Sequence, residues 1–206
     1  GAGTRAENVI LTRTNAFAKD SSIDADGSVQ INAQNDAFIN ASVLTVSAAL
    51  AIGKKNTFAL TVGGAQSANY IGWTQDGVRK DAEVRAYLDN SEVKKSKSLA
   101  LDAASTGTID ADVLAGSLAV SGLSGAGIEA VNKVATDIHA SIDAYGAVDK
   151  PVIKTAGELK VTASDDADIA AFAGAVSLGV TYTSSRKFSG AVSISATYAA
   201  NEIRND

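Results

Sequence analysis

The chain contains no cysteine and no methionine, and a single proline, histidine and tryptophan in 206 residues. The missing cysteine excludes disulfides, thiolate-held zinc and a thiol nucleophile; it leaves the redox compartment unmarked, which is compatible with secretion. The lone His139 has no second imidazole for an HExxH-type zinc site and no partner at motif spacing. Aromatic residues make up 5% of the chain. Its core therefore rests on Ala, Val, Ile and Leu, and suits a narrow interior of thin layers, each contributing roughly 25 cal/mol per Å² of apolar surface buried. No apolar run reaches the ~18 residues of a membrane-spanning helix. Positive charge is short as well, with 18 Lys and Arg against 23 Asp and Glu and a net charge of −5, which argues against sequence-independent nucleic-acid binding. The opening GAGTR lacks methionine and a signal peptide, and reads as an internal stretch of a longer protein.

What the chain does have is a repeat. AENVI at 6–10 returns as SANYI at 67–71, AVNKV at 130–134 and AANEI at 199–203. The anchors Asn8, Asn69, Asn132 and Asn201 are 61, 63 and 69 residues apart, which divides one domain spanning 1–206 into three units, approximately 8–68, 69–131 and 132–200. Between anchors the segments keep phase: VQINA at 29–33 with LALDA at 99–103 and LKVTA at 159–163, then Ile39 with Ile109 and Ile169, then Ser47 with Ser117 and Ser177. FALTV at 58–62 matches GAVSI at 190–194, and Ala16 aligns with Ala86 and Ala140. Each segment alternates, the period of a strand with one face buried. Val29, Ile31, Leu99, Leu101, Leu159 and Val161 are expected inward, as are Leu50, Val120 and Val180. Three stretches break the pattern: Gly72 to Asp81, Ser121 to Gly127, and the turn with Pro151.

No unit of this kind buries its own apolar face, but stacking units in parallel register at ~4.8 Å does. The expected fold is an all-β, right-handed parallel β-helix, or β-solenoid. With about 30 residues per three-sided coil it has about two coils per repeat and six or seven in all. An antiparallel sandwich would want tight Asn-Gly or Asp-Gly turns, and only Asp26-Gly27 and Asp76-Gly77 fit. A helical pattern over 127–142 fails in the sibling repeats. The anchor asparagines are assigned a structural role: Asn tolerates left-handed geometry at a corner, and stacked copies form an amide ladder.

The phrase formed by a small-residue strand ending in A-x-N-x-I, then V-x-A-Y-[IL]-x-x-S, a V-x-V-x-A strand and an I-x-A rung, resembles the repeats of leukotoxin-type filamentous adhesins. Residues 62–111 carry it best, through VGGAQSANYI, VRAYLDNSEV, LALDA and TIDA. The resemblance places the chain near the filamentous-haemagglutinin-like secreted surface proteins of bacteria and implies a long extracellular β-helical stalk for adhesion or toxin display. The Trp-bearing insertion at 72–82 is outside that pattern.

Chemistry is sparse. His139 shares its phase with Arg85 and Asn15 and is expected at the surface. Asp24 and Asp26, and the pair Asp165-Asp166, offer carboxylates to Ca²⁺ but complete neither an EF-hand loop nor a calcium-binding nonapeptide repeat. No cofactor is expected. Asp102, Asp110 and Asp168 occupy different phases and form no clear acid/base pair. Lys54-Lys55, Arg186-Lys187 and KKSK at 94–97 read as solvated turns, and outward Thr and Ser form no unbroken ice-binding ladder. Trp73 is the aromatic residue to watch, with Asp76, Arg79, Lys80 and Asp81 beside it on a loop expected to be exposed. The expectation is a non-enzymatic rod or spacer of a large secreted or surface adhesin. Its partners are neighbouring repeats, further copies joined head to tail, and a host surface or glycan. The rival is a glycan-binding or carbohydrate-active β-helix that uses the insertion.

Overall fold

A computed structural model of the chain describes residues 1–51, 58–120, 122–143, 152–181 and 191–206. Among the described residues there are eleven strands and no helix: β1 (Ala2–Ile10), β2 (Arg13–Lys19), β3 (Ser22–Asp24), β4 (Val29–Leu50), β5 (Ala59–Ile71), β6 (Ala82–Asp89), β7 (Glu92–Lys95), β8 (Leu99–Val120), β9 (Gly122–Asp143), β10 (Leu159–Val180) and β11 (Val192–Asn205). They form three curled sheets: β1-β5-β9-β6-β2 with β11 also on β9, then β10-β8-β4, and the short pair β3-β7. Every strand pair is parallel. Residues 127–142 lie within β9, not in a helix.

The registers follow the repeat. Asn8 pairs with Asn69, Asn69 with Asn132, and Asn132 with Asn201. Ile39, Ile109 and Ile169 share one row, as do Ser47, Ser117 and Ser177. The step between partners differs from the expected half-repeat, because Val29 pairs with Leu99 and Leu99 with Leu159, a whole repeat each time. The physical reason is strand length. At 22 residues, β4, β8, β9 and β10 each run about 70 Å at ~3.3 Å per residue, far beyond the usual strand of 3–10 residues. One repeat is used up going out along β4, back along β5 and β6, and across the short side through β7 before β8 begins beside β4. Gly122 to Gly127, expected as an irregular stretch, instead pair with Ala59 to Gly64 inside β9. The 72–81 excursion is a true insertion, since Ile71 pairs with Val134 and Ala82 with Thr136, leaving only Ala135 opposite it.

The two large sheets face each other over a core that tapers. Near the short β3-β7 sheet it holds Leu88, Val93, Leu99 and Leu101; farther along Ile71, Ile109 and Val134; then Val113, Ala65 and Ala115. Beyond these the inward residues are Thr45, Ser47, Thr61, Ser117 and Ser124. Here Thr61 Oγ1 donates to Ser47 Oγ across the gap at 2.9 Å, and a Cβ added to Gly63 would lie 2.6 Å from the Gly116 carbonyl oxygen. The sheets are too close for larger side chains. Alternation then forces the large residues out: Leu44, Val46 and Leu50 are 64%, 67% and 64% exposed. The inward placement expected for Leu50, Val120 and Val180 is therefore reversed: the three share one outward row, while Ser47 of β4 and Ser117 of β8 are buried instead.

The middle layer is the best protected. Leu99, Leu101, Ile109, Ala111 and Val113 of β8 have no exposed surface, whereas Leu159 and Val161 in the neighbouring edge strand β10 are half-exposed. Alanine is a weak strand former, so these Ala-rich strands owe their shape to ladders on either side rather than to propensity.

Candidate functional site

The anchor asparagines sit mid-strand in β1, β5, β9 and β11, in extended backbone and not at corners. Their side chains form a continuous chain of hydrogen bonds: Asn8 Nδ2 to Asn69 Oδ1 at 2.8 Å, Asn69 Nδ2 to Asn132 Oδ1 at 2.8 Å, and Asn132 Nδ2 to Asn201 Oδ1 at 2.9 Å. Asn69 also donates to Ser67 Oγ at 3.0 Å, and Asn69 and Asn132 are fully buried. A buried amide must spend its donors and acceptor on partners, and a stack of like amides satisfies that demand without foreign residues. The left-handed corner belongs to Asp20 and Asn90, at φ 49° and 47°, with Asn90 Nδ2 donating to Asp20 Oδ1 at 2.6 Å. Their short polar side chains tolerate that geometry.

The insertion is a small antiparallel excursion pinned to the wall. Trp73 bridges Arg79, Thr74 N donates to the Val78 carbonyl, and Gly72 N donates to the Ile10 carbonyl. Gly72 has φ 72°, and a Cβ there would collide with the Ala135 carbonyl. The ring of Trp73 is buried at 7% exposure, not displayed on a loop as expected. Lys133 Nζ lies 4.4 Å from its centroid and Arg204 Cζ 5.8 Å, both within cation–π range. Glu202 joins these two cations, 2.9 Å from Lys133, and its carboxyl is held below the usual range by Lys133 first and Arg204 second. Arg79 pairs with Asp81 and Asp206, and the Asp81 hydrogen bond above all raises its pKa. Asp76 lies in the exposed tip and Lys80 N donates to the Gly72 carbonyl. The insertion thus brings Trp73, Arg79 and Lys80 together, but as a clasp over β9 and β11.

The remaining carboxylates are dispersed. Asp102, Asp110 and Asp168 all face outward from the β10-β8-β4 sheet; Asp168 pairs with Thr108, one outward step from Asp110, while Asp102 lies six residues before Thr108 in β8. Asp26 contacts Lys95. Asp165 turns inward and accepts from Thr136 Oγ1 at 2.7 Å, in a polar row with Asn35 and Ser105 that interrupts the apolar core. Among the described residues, no group of three or more His, Cys, Asp or Glu is placed to hold a metal ion. No helix is long and apolar enough to cross a membrane among those residues. Lys54-Lys55, Arg186-Lys187 and Pro151 lie outside the described residues.

One recessed polar surface was not singled out by sequence. It is an open groove of about 820 Å³ on the outer face of β2, β6 and β9. Three outward rows cross it: Asn15, Arg85 and His139; Phe17, Tyr87 and Ser141; Lys19, Asp89 and Asp143. Phe17 and Tyr87 stack with ring centroids 5.1 Å apart and planes 8° from parallel. Around them Lys19 pairs with Asp89 at 2.8 Å and Arg85 with Asp137 at 3.1 Å, and His139 Nε2 lies 2.6 Å from Asp137 Oδ1. The hydrogen bond and charge of Asp89 raise the Lys19 pKa. Ser141 Oγ donates to Asp143 at 2.6 Å. The sequence signal was present in the second row, where two aromatics are followed by a serine in the third repeat.

No protein-family profile matches the chain, and neither the curated proteins nor the solved structures yield a match.

Proposed function

We propose that the chain is a segment of a β-solenoid rod, with one turn per repeat and about three turns in the segment, acting as a non-enzymatic spacer in a large secreted or surface-exposed bacterial adhesin. The observation that carries this reading is the in-register, all-parallel pairing of whole repeats from β1 to β11. Such pairing has no built-in end. Among the described residues, edge strands β4 and β10 present unpaired backbone that another turn of the same kind would satisfy. The right-handed crossover preference of parallel strands supports a right-handed winding. The resemblance of residues 62–111 to filamentous adhesin repeats supports the surface location, and the paired, dispersed charges support a structural rather than catalytic role.

The direct test is X-ray diffraction from an oriented film of the 206-residue chain, with a meridional reflection at ~4.8 Å expected along the long axis. Light scattering is expected to show mass rising with concentration as edges meet head to tail. A strict monomer whose film shows no axial ~4.8 Å order defeats the rod reading. Nothing about the insertion favours the glycan-binding alternative there, because the Trp73 ring is covered by Lys133 and Arg204.

A further inference from the structure

The groove on β2, β6 and β9 contains an aromatic stack that stops one position short. Phe17, Tyr87 and Ser141 are direct neighbours on three successive strands. Phe17 covers one face of Tyr87. On the other side the third position is Ser141, too small to reach the ring, and its hydroxyl is turned to Asp143. The cavity covers that side, since Tyr87, His139, Ser141 and Asp143 line it and Phe17 does not, and it reaches across to Lys19 and Asp20 at the end of β2. Successive strands are ~4.8 Å apart, so the gap over Ser141 is about one flat ring thick.

We propose that this slot binds the ring of a neutral sugar, a pyranose stacked on the open face of Tyr87 above Ser141. The rim chooses among flat ligands. It carries two cations, Lys19 and Arg85, against three carboxylates, so it has no positive excess for a nucleotide, a sulfated glycan or another anion. Polar groups flank the slot on both sides, Arg85 and His139 in the row on one side and Asp89 and Asp143 in the row on the other. An aromatic side chain needs an apolar rim, which is absent here. A ring with an apolar C–H face and a hydroxylated edge meets both demands, using the ring face of Tyr87 and the mixed polar flanks. The volume of about 820 Å³ exceeds one ring, so a short oligosaccharide fits with a single unit in the slot. The proposal does not rest on the rod reading, because the lining residues named here all come from β2, β6 and β9 and the adjoining corners.

The test is saturation-transfer NMR on the full chain with the methyl glycosides of glucose, galactose, mannose and N-acetylglucosamine. Glucose 6-phosphate and N-acetyltryptophanamide serve as the anionic and aromatic comparisons. Transfer to the ring protons of at least one neutral glycoside is expected. Tyr87→Leu is expected to weaken it by about tenfold or more. Ser141→Phe continues the stack into the slot, so it is expected to abolish binding while keeping the circular dichroism spectrum and raising the melting temperature. That pairing separates a filled site from a misfolded one. The proposal is overturned if none of the four glycosides shows transfer, if both variants bind as the parent does, or if the phosphate or the indole binds more tightly than every neutral glycoside.

Discussion

Replacing Asn69 by Ala tests whether the buried amide chain holds the layers together. Asn69 accepts from Asn8 and donates to both Ser67 and Asn132, so the substitution removes three hydrogen bonds. At about 1 kcal/mol net each, that is about 3 kcal/mol. Asn132 Oδ1 and Ser67 Oγ, both in residues with no exposed surface, then lose a partner, and an orphaned buried group adds about 1–3 kcal/mol. The expected loss is therefore about 4 kcal/mol or more, a large share of the 5–15 kcal/mol typical of a folded domain. Asn8→Ala, at the partly buried end of the chain of amides, removes one bond and leaves only Asn69 Oδ1 without its donor, and is expected to cost about 2 kcal/mol. Urea unfolding followed by circular dichroism gives both numbers. The sharper measurement is the double variant Asn69→Ala with Asn132→Ala. Once Asn69 is gone Asn132 has already lost its donor, so the pair is expected to fall short of the sum by about 1–3 kcal/mol. Strict additivity, or an Asn69 cost no greater than that of Asn8, would refute the ladder as a stabilising unit.

Three further outcomes follow from the packing and charges. Ile109→Ala is expected to cost about 2–5 kcal/mol because the residue is fully buried in the middle layer, and Ile169→Ala in edge strand β10 clearly less, as read from urea midpoints. Ser105 is buried with no partner for its hydroxyl among the described residues, so Ser105→Ala is expected to leave stability unchanged or raise it by about 1 kcal/mol, whereas a drop beyond that would reveal a further partner. Glu202 has a depressed folded-state pKa; its contribution is therefore present above the unfolded carboxylate pKa and is lost as pH falls through the folded one. Melting temperatures taken from pH 6 downward are expected to fall less steeply in the acid range for Glu202→Gln than for the parent.

Much of the architecture was readable because two signals coincide, a period of two within strands and a repeated Asn at fixed phase. Those place Ile39, Ile109 and Ile169 in one row before any coordinates are seen. The turn length was not readable, since every half-repeat alternates in the same way and nothing in A-x-A-x marks where the chain doubles back. Alternation also divides residues between two faces without saying which is inside. Ordinary hydrophobicity sends Leu50 inward, but the close approach of Gly63 to Gly116 admits only small side chains there. Trp73 was misplaced for a similar reason, because its cover comes from Lys133 and Arg204, far along the chain. Likewise, a groove made by three strands on separate repeats appears only when Phe17, Tyr87 and Ser141 are read as a column.

The reversed polarity at the thin end carries a calorimetric consequence. Unfolding raises heat capacity chiefly by wetting apolar surface that folding had dried. Around Leu44, Val46, Leu50, Leu60 and Ile194 that surface is already wet in the folded chain, so its exposure adds little. The heat-capacity increment per residue therefore falls below the roughly 12–15 cal/mol/K of ordinary globular proteins. Its stability curve is correspondingly flat, changing little between refrigerator and body temperature, and cold loosens this fold less than it loosens one of equal size with a uniformly greasy interior.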